Sequence, residues 1–256
     1  MTKAKKIRLD DLLVEQGYFP DRGAALRAVL AHEVRVDDVY ATSAALPVRA
    51  DADIFVKNAR RFVSRGGHKL QGALDAFAVD VAGKRCIDVG SSTGGFTDCL
   101  LQAGAASVAA VDVNYGQLAW QLREDPRVAI FERTNIKTAD PEALGAPFDI
   151  IVCDVSFISL AGLAPTFAAL SAPGTVFLGL VKPQFESAHD ETDRGVVRDE
   201  AVRLRTVEEV RIALETSGFA VRGTVESPIK GPEGNVEYLV YAVFAPDSVL
   251  NPDEAW

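Results

Sequence analysis

The chain has 256 residues, 48% of them hydrophobic and 25% charged, which is enough for one or two domains with real cores and excludes disorder as the dominant state. No stretch approaches the length of a membrane-spanning apolar run, and Asp10 and Asp11 stand where a signal peptide would carry its apolar segment, so the sequence predicts a soluble, cytoplasmic protein. The net charge of −9 is unevenly divided: residues 1–69 hold 13 Lys and Arg against 9 Asp and Glu, and residues 70–256 hold 14 against 27. A basic front on an acidic body suggests a module that meets a polyanion and a body with another task. Cys86, Cys99 and Cys153 show no CxxC spacing, and His32, His68 and His189 are far apart, so neither a disulfide framework nor a metal site is signalled.

Residues 7–16, IRLDDLLVEQ, place Ile7, Leu9, Leu12 and Leu13 at helical spacing, and Gly17 stops the turn. Asp21 can cap a second helix whose apolar side is Ala24, Ala25, Ala28, Val29 and Leu30. Short β-prone pieces follow, among them Val34 to Val36 and Ile54 to Val56, and together these elements describe a small α+β domain. The segment KNARRFVSRGGHK at 57–69 has few apolar positions and reads as a basic linker entering a helix that starts near His68 and runs through Leu70, Leu74 and Phe77.

From Lys84 the pattern alternates strand and helix. The strands are expected at 85–90, 107–113, 127–132, 148–155 and 175–181, with helices at 95–103, 116–122 and 159–170 between them. Continuous apolar strands separated by helices imply a parallel sheet buried on both faces. After the helical run EAVRLRTVEEVRIALETSG, the strands FAVRGTVES and NVEYLVYAVF, joined through KGPEGN, form an antiparallel pair at one edge.

The first of these strands ends in Asp88-Val89-Gly90-Ser91-Ser92-Thr93-Gly94-Gly95, where glycines let backbone approach a ligand closely at the sheet's carboxyl edge. Gly90 and Gly94 are four apart, which is not the dinucleotide spacing, and Asp112 ends the next strand, where a carboxylate can accept ribose hydroxyls. A nucleoside cofactor fits better than a dinucleotide, and S-adenosylmethionine is the obvious member of that class. Asp154 ends the fourth strand, Lys182 follows the fifth and Glu237 lies in the last, so the topology can bring all three to one crevice, with Lys69 folded across it. Lysines held by carboxylates suit the activation of a sugar hydroxyl. An exocyclic amine acceptor would call for Pro-Pro and an aromatic after the fourth strand, where this chain has CDVSF. Methylation of a pyrimidine carbon would need a thiolate, but Cys153 alternates with Asp154 and should point to the packed face.

Two resemblances extend this reading. The front segment resembles the S4 RNA-binding domain in R-L-D-x-x-L at Arg8 to Leu13, an Arg opening the second helix at Arg22, and V-x-V at Val34 to Val36, with Asp21 in place of Ser and Asp37-Asp38 in place of Asn-Gly. SRGGHKL at 64–70, DVGSSTGGFTDCLL at 88–101, VDVNYGQLAWQLR at 111–123, ERTNI at 132–136, CDVSFISL at 153–160, LVKPQFE at 180–186 and GNVEYL at 234–239 resemble the TlyA family of ribosomal RNA 2′-O-ribose methyltransferases, often labelled haemolysins.

The second resemblance implies a Rossmann-like, FtsJ-type α/β methyltransferase domain with a mostly parallel seven-stranded sheet, S-adenosylmethionine as cofactor and cytidine in ribosomal RNA of assembled subunits as substrate. It places the family's Lys-Asp-Lys-Glu tetrad on Lys69, Asp154, Lys182 and Glu237, and adds Phe96 and Asn135 to the expected cofactor contacts Asp88, Gly90, Ser91, Ser92, Thr93, Gly94, Asp112 and Asp154. Expected RNA contacts are Lys6, Arg8, Arg22, Arg27, Arg60, Arg61 and Arg65, and the expected division is 1–59 for the S4-like domain, 60–66 for the linker, 67–246 for the methyltransferase domain and 247–256 for a tail. A membrane-lytic protein and a catalytically silent RNA binder are the alternatives.

Overall fold

The computed structural model describes residues 6–15, 18–19, 21–49, 52, 54–57, 61–231 and 233–246. The chain divides into two compact units, Met1–Arg61 and Phe62–Trp256. The expected helix stop at Gly17, the RNA contact Arg60 and the tail 247–256 lie outside the described residues.

The first unit runs β1 (Lys6–Arg8), α1 (Leu9–Glu15), α2 (Arg22–Leu30), β2 (Val34–Val36), β3 (Val39–Tyr40), β4 (Pro47–Arg49) and β5 (Ile54–Val56). The first helix starts two residues later than its spacing predicts, because Ile7 is extended and paired with Val48 of β4. Leu9, Leu12 and Leu13 then bury one stripe of α1 against Ala25, Ala28 and Val29 of α2. Asp21 caps α2 as expected, accepting from Ala24 N at 2.7 Å, whereas Leu30 is exposed. The β2–β3 hairpin turns through Asp37 and Asp38, both at positive φ (48° and 64°), a conformation that Asp tolerates better than most residues.

The second unit contains α3 (Gly66–Phe77), β6 (Arg85–Val89), α4 (Gly95–Gln102), β7 (Ser107–Val111), α5 (Trp120–Arg123), β8 (Val128–Phe131), α6 (Pro141–Leu144), β9 (Phe148–Cys153), α7 (Ala164–Ala169), β10 (Ser171–Val181), α8 (Pro183–Glu186), α9 (Glu200–Thr216), β11 (Phe219–Glu226) and β12 (Tyr238–Phe244). Its sheet has seven strands in the order β11-β12-β10-β9-β6-β7-β8. β10, β9, β6, β7 and β8 are parallel neighbours, while β12 runs antiparallel between β10 and the outermost strand β11. Alternate residues of β9 enter opposite cores, Ile151 and Cys153 on one face and Ile150 and Val152 on the other, which is the two-sided burial read from its apolar run. Two expected helices are shorter than their spacing suggests: α5 occupies only 120–123, and 159–170 breaks into a 3-10 turn at Ala161–Leu163 followed by α7.

The segment read as a linker over 60–66 is built into the second unit from residue 62 onward. Phe62 is 2% exposed and packs in the core with Leu70, Leu74 and Phe96, and Val63 N donates to Asp98 Oδ2 at 2.8 Å. A methyl group on Gly67 would overlap the Phe62 ring, so the bare glycine makes room for this aromatic. Gly67→Ala should therefore destabilise the protein by about 1–3 kcal/mol through overpacking, measured by denaturant titration, and replacing Phe62 with Leu in the same chain should recover part of the loss.

Candidate active site

The carboxyl end of β6 turns sharply into α4. Gly90 has φ +84°, and a Cβ there would come within 2.7 Å of the Asp154 carbonyl oxygen, so the backbones of the β6 and β9 ends meet only because residue 90 has no side chain. The first turn of α4 is held by Asp88, whose Oδ2 accepts from Thr97 N at 2.9 Å and Thr97 Oγ1 at 2.7 Å. At the end of β7, Asp112 takes Ser92 N on one oxygen at 2.7 Å and Asn114 N on the other at 2.8 Å, tying the glycine turn to the neighbouring strand.

A cavity of about 740 Å³ opens at this edge, with Gly90, Ser91, Ser92, Thr93, Gly95 and Phe96 on one side. Lys69, Asp154, Lys182 and Glu237 all line it. Lys69, buried in α3, donates to Glu237 Oε2 at 2.5 Å across 168 positions of sequence. Glu237 is 1% exposed, and Gly231 lies so close that a Cβ on it would reach 2.6 Å from Oε1. Lys182, rigidly placed between β10 and Pro183, lies 2.6 Å from Asp154 Oδ1 and donates to Ser156 Oγ at 2.9 Å. Each lysine thus has its own carboxylate, and both pairs face one space.

Four expected cofactor contacts do not line the cavity. Asp88 is fully buried and serves the α4 turn; Gly94, at φ +95°, packs against Leu118 and Leu122; Asp112 lies behind Ser92; and Asn135 is exposed, its Oδ1 accepting from Lys137 N at 3.1 Å. Asp112 still fits a cofactor hydroxyl through lone pairs its two amide partners leave free. Among the expected RNA contacts, Arg65 lines the cavity. Lys6, Arg8, Arg22, Arg27 and Arg61 are exposed, Arg8 paired with Asp10 at 2.6 Å and Arg22 with Asp11.

Sequence reasoning missed Ser156, Phe157 and Asn235. Ser156 and Phe157 follow Asp154 in CDVSF, and Phe157 is 90% exposed at φ +64°, with its ring 5.0 Å from that of Phe185. Asn235, two residues before Glu237, accepts from Val197 N at 3.0 Å and donates to Gly195 O at 2.9 Å, fastening the 193–197 segment to the cavity rim. The cysteines offer no nucleophile: burial raises the thiol of Cys86 to about 12 and that of Cys153 well above its ordinary value.

Residues 62–244 match the FtsJ-like methyltransferase family. The chain belongs to that family. Its fold is the Rossmann-like methyltransferase fold, and it is an enzyme. The glycine turn that a side chain would block, with a carboxylate behind it, fits the S-adenosylmethionine expected from the sequence. A relative from Mycobacterium tuberculosis, named 16S/23S rRNA (cytidine-2′-O)-methyltransferase TlyA, is 44% identical over 97% of this chain and 94% of its own length. Hemolysin A of Brachyspira hyodysenteriae is 37% identical over 93% of this chain and 100% of its own. A solved structure from Streptococcus thermophilus, also named a hemolysin, shares 36% identity at a TM-score of 0.71, covering 96% of this chain and 93% of that one. Among the described residues, no helix is long and apolar enough to cross a membrane.

Asp88 carries a pH signature. Burial, opposed by the Thr97 hydrogen bonds and reinforced by Asp154 and Asp112, raises its carboxyl to about 7, and its Oδ1 has no partner. The folded state therefore binds a proton that the unfolded chain releases near pH 4, so this group's contribution to stability falls as pH rises from about 4 to about 7. Asp88→Asn keeps an oxygen for Thr97 and removes the charge. Its melting temperature relative to wild type should rise between pH 5 and pH 8, a trend that scanning calorimetry can read; a flat difference would contradict the assignment.

Proposed function

We propose that the protein methylates the ribose 2′-hydroxyl of a cytidine in ribosomal RNA, acting in the cytoplasm on assembled ribosomal subunits. The observation that carries this reading is the pairing of Lys69 with Glu237 and of Lys182 with Asp154 on one cavity that also holds the glycine turn. The names of the relatives agree with the substrate.

When bound, S-adenosylmethionine supplies an electrophilic methyl group on a sulfonium. The residues of this chain have the remaining tasks. Gly90 to Thr93 provide a surface without bulky side chains that would hold the donor, and Asp112, which holds Ser92 in place, would accept its ribose hydroxyls. Lys182 is the group that receives the proton of the attacking hydroxyl, and Asp154 and Ser156 hold it in place. Lys69, fixed by Glu237, orients the same hydroxyl or the adjacent phosphate. The buried thiols favour an oxygen acceptor over a pyrimidine carbon, whose methylation needs a thiolate. The S4-like front unit supplies the first RNA contacts through Lys6 and Arg27.

Lys182→Ala and Lys69→Ala should each abolish methyl transfer to ribosomal subunits while leaving the calorimetric affinity for S-adenosylmethionine within a few-fold of wild type. Of the two, only Lys69→Ala should also weaken RNA binding; full activity in Lys182→Ala would overturn its role.

Asp112→Ala should weaken S-adenosylmethionine by one to two orders of magnitude, since a hydrogen bond to a charged group contributes about 1.5–3 kcal/mol. Isothermal calorimetry without RNA measures this, and unchanged affinity would remove Asp112 from the donor site.

A further inference from the structure

The two lysine–carboxylate pairs leave part of the cavity wall unused. α8 follows Lys182 directly, and Gln184, Phe185 and then Ser187 line the cavity from it. Gln184 Oε1 and Ser187 Oγ are closed off from solvent, yet neither has a hydrogen-bond partner. An unpaired buried polar atom is unfavourable, and a small side-chain rotation toward a ligand in the cavity would relieve it.

The same short helix is braced from behind. Glu186, half-buried, accepts from Ser159 Oγ at 2.7 Å and from Leu160 N at 2.6 Å, fastening α8 to the loop that carries Ser156 and Phe157. Phe157 and Phe185, from the two joined segments, have rings 5.0 Å apart and line the same cavity as Gln184 and Ser187. The wall is thus fixed by Glu186, carries two neighbouring aromatic rings, and holds two buried polar atoms that lack partners.

We infer that Gln184 and Ser187 form a base-reading subsite, hydrogen-bonding the Watson–Crick edge of the nucleotide whose ribose is methylated. The inference rests on the ribose-methylation reading given above and deepens it. A neutral amide and a hydroxyl suit the edge of a neutral heterocycle; a phosphate would call for cations. Cytosine presents an amine donor, a ring-nitrogen acceptor and a carbonyl acceptor in sequence. Gln184 Oε1 can accept from the first and its Nε2 can donate to the second, while the Ser187 hydroxyl donates to the third. An aromatic surface beside these groups gives the base a stacking face.

The test uses the full chain, tritiated S-adenosylmethionine and ribosomal subunits from cells lacking this protein, with Gln184→Ala, Ser187→Ala and Gln184→Glu. Both alanine variants should lose about 10- to 100-fold in kcat/KM for the subunits, with S-adenosylmethionine affinity by calorimetry and the melting temperature close to wild type. Gln184→Glu, which keeps the acceptor for the exocyclic amine, should retain more activity than Gln184→Ala. Variants that methylate subunits as well as wild type would overturn the subsite alone, as would a loss matched by weaker donor binding. A wild-type protein that transfers no methyl to ribose would overturn the ribose-methylation reading and the subsite with it.

Discussion

A salt bridge between Lys69 and Glu237 closes the molecule's chemistry into one place. Neither partner can be satisfied alone: both side chains are out of water, and leaving either without the other would strand a charge, typically costing about 3–5 kcal/mol. The pair joins the first helix of the second unit to the residue just before its last strand, so everything between must be in register for it to form. Gly231 and Gly67, at either end of this span, are small because a carboxylate and an aromatic ring respectively fill the space a side chain would need. A buried pair adds little net stability over apolar packing; its value is that it fixes where an ammonium group points.

The carboxylates around the cavity divide their work by surroundings. Asp154 and Glu237 each face a lysine Nζ. Asp112 faces two backbone amides, and Asp88 has neither a cation nor water, so its proton is retained to about pH 7. Four acids that look alike in sequence therefore meet three different environments. The crowding of acidic groups at the sheet edge is relieved by neutralising the one that water cannot reach.

The sheet was legible because five strands are continuous apolar runs, and a strand buried on both faces can be little else when its flanks break as these do. The helices were less so. The stretch 159–170 has helical spacing, but the Glu186 carboxylate holds Ser159 Oγ and Leu160 N, and the chain passes through a 3-10 turn before α7 starts, with Pro165 in its first turn. Phe62 was hidden by its basic neighbours, because a lone aromatic in KNARRFVSRGG shows no periodicity. At the site, the residues at strand ends could be found by topology alone, which is how Asp154 and Lys182 emerge. Asp88, at the end of the same kind of strand, turns inward because its side chain alternates to the helix side and meets Thr97 there. Asn235 and Ser156 depend on partners on other loops, and no local pattern announces such a pairing.

The position of β12 has a temporal consequence. It inserts between β10 and β11, so the strand that carries the chain past Glu237 is the last of the sheet to be synthesised yet lies inside it rather than at its margin. Contacts of this kind have high sequence separation and form late. A partly synthesised chain can already hold the glycine turn, Asp154 and Lys182, but Lys69 waits without a counter-ion until Tyr238–Phe244 slots into place. A chain halted before that step therefore has the glycine turn and the Lys182–Asp154 pair but not the Lys69–Glu237 pair.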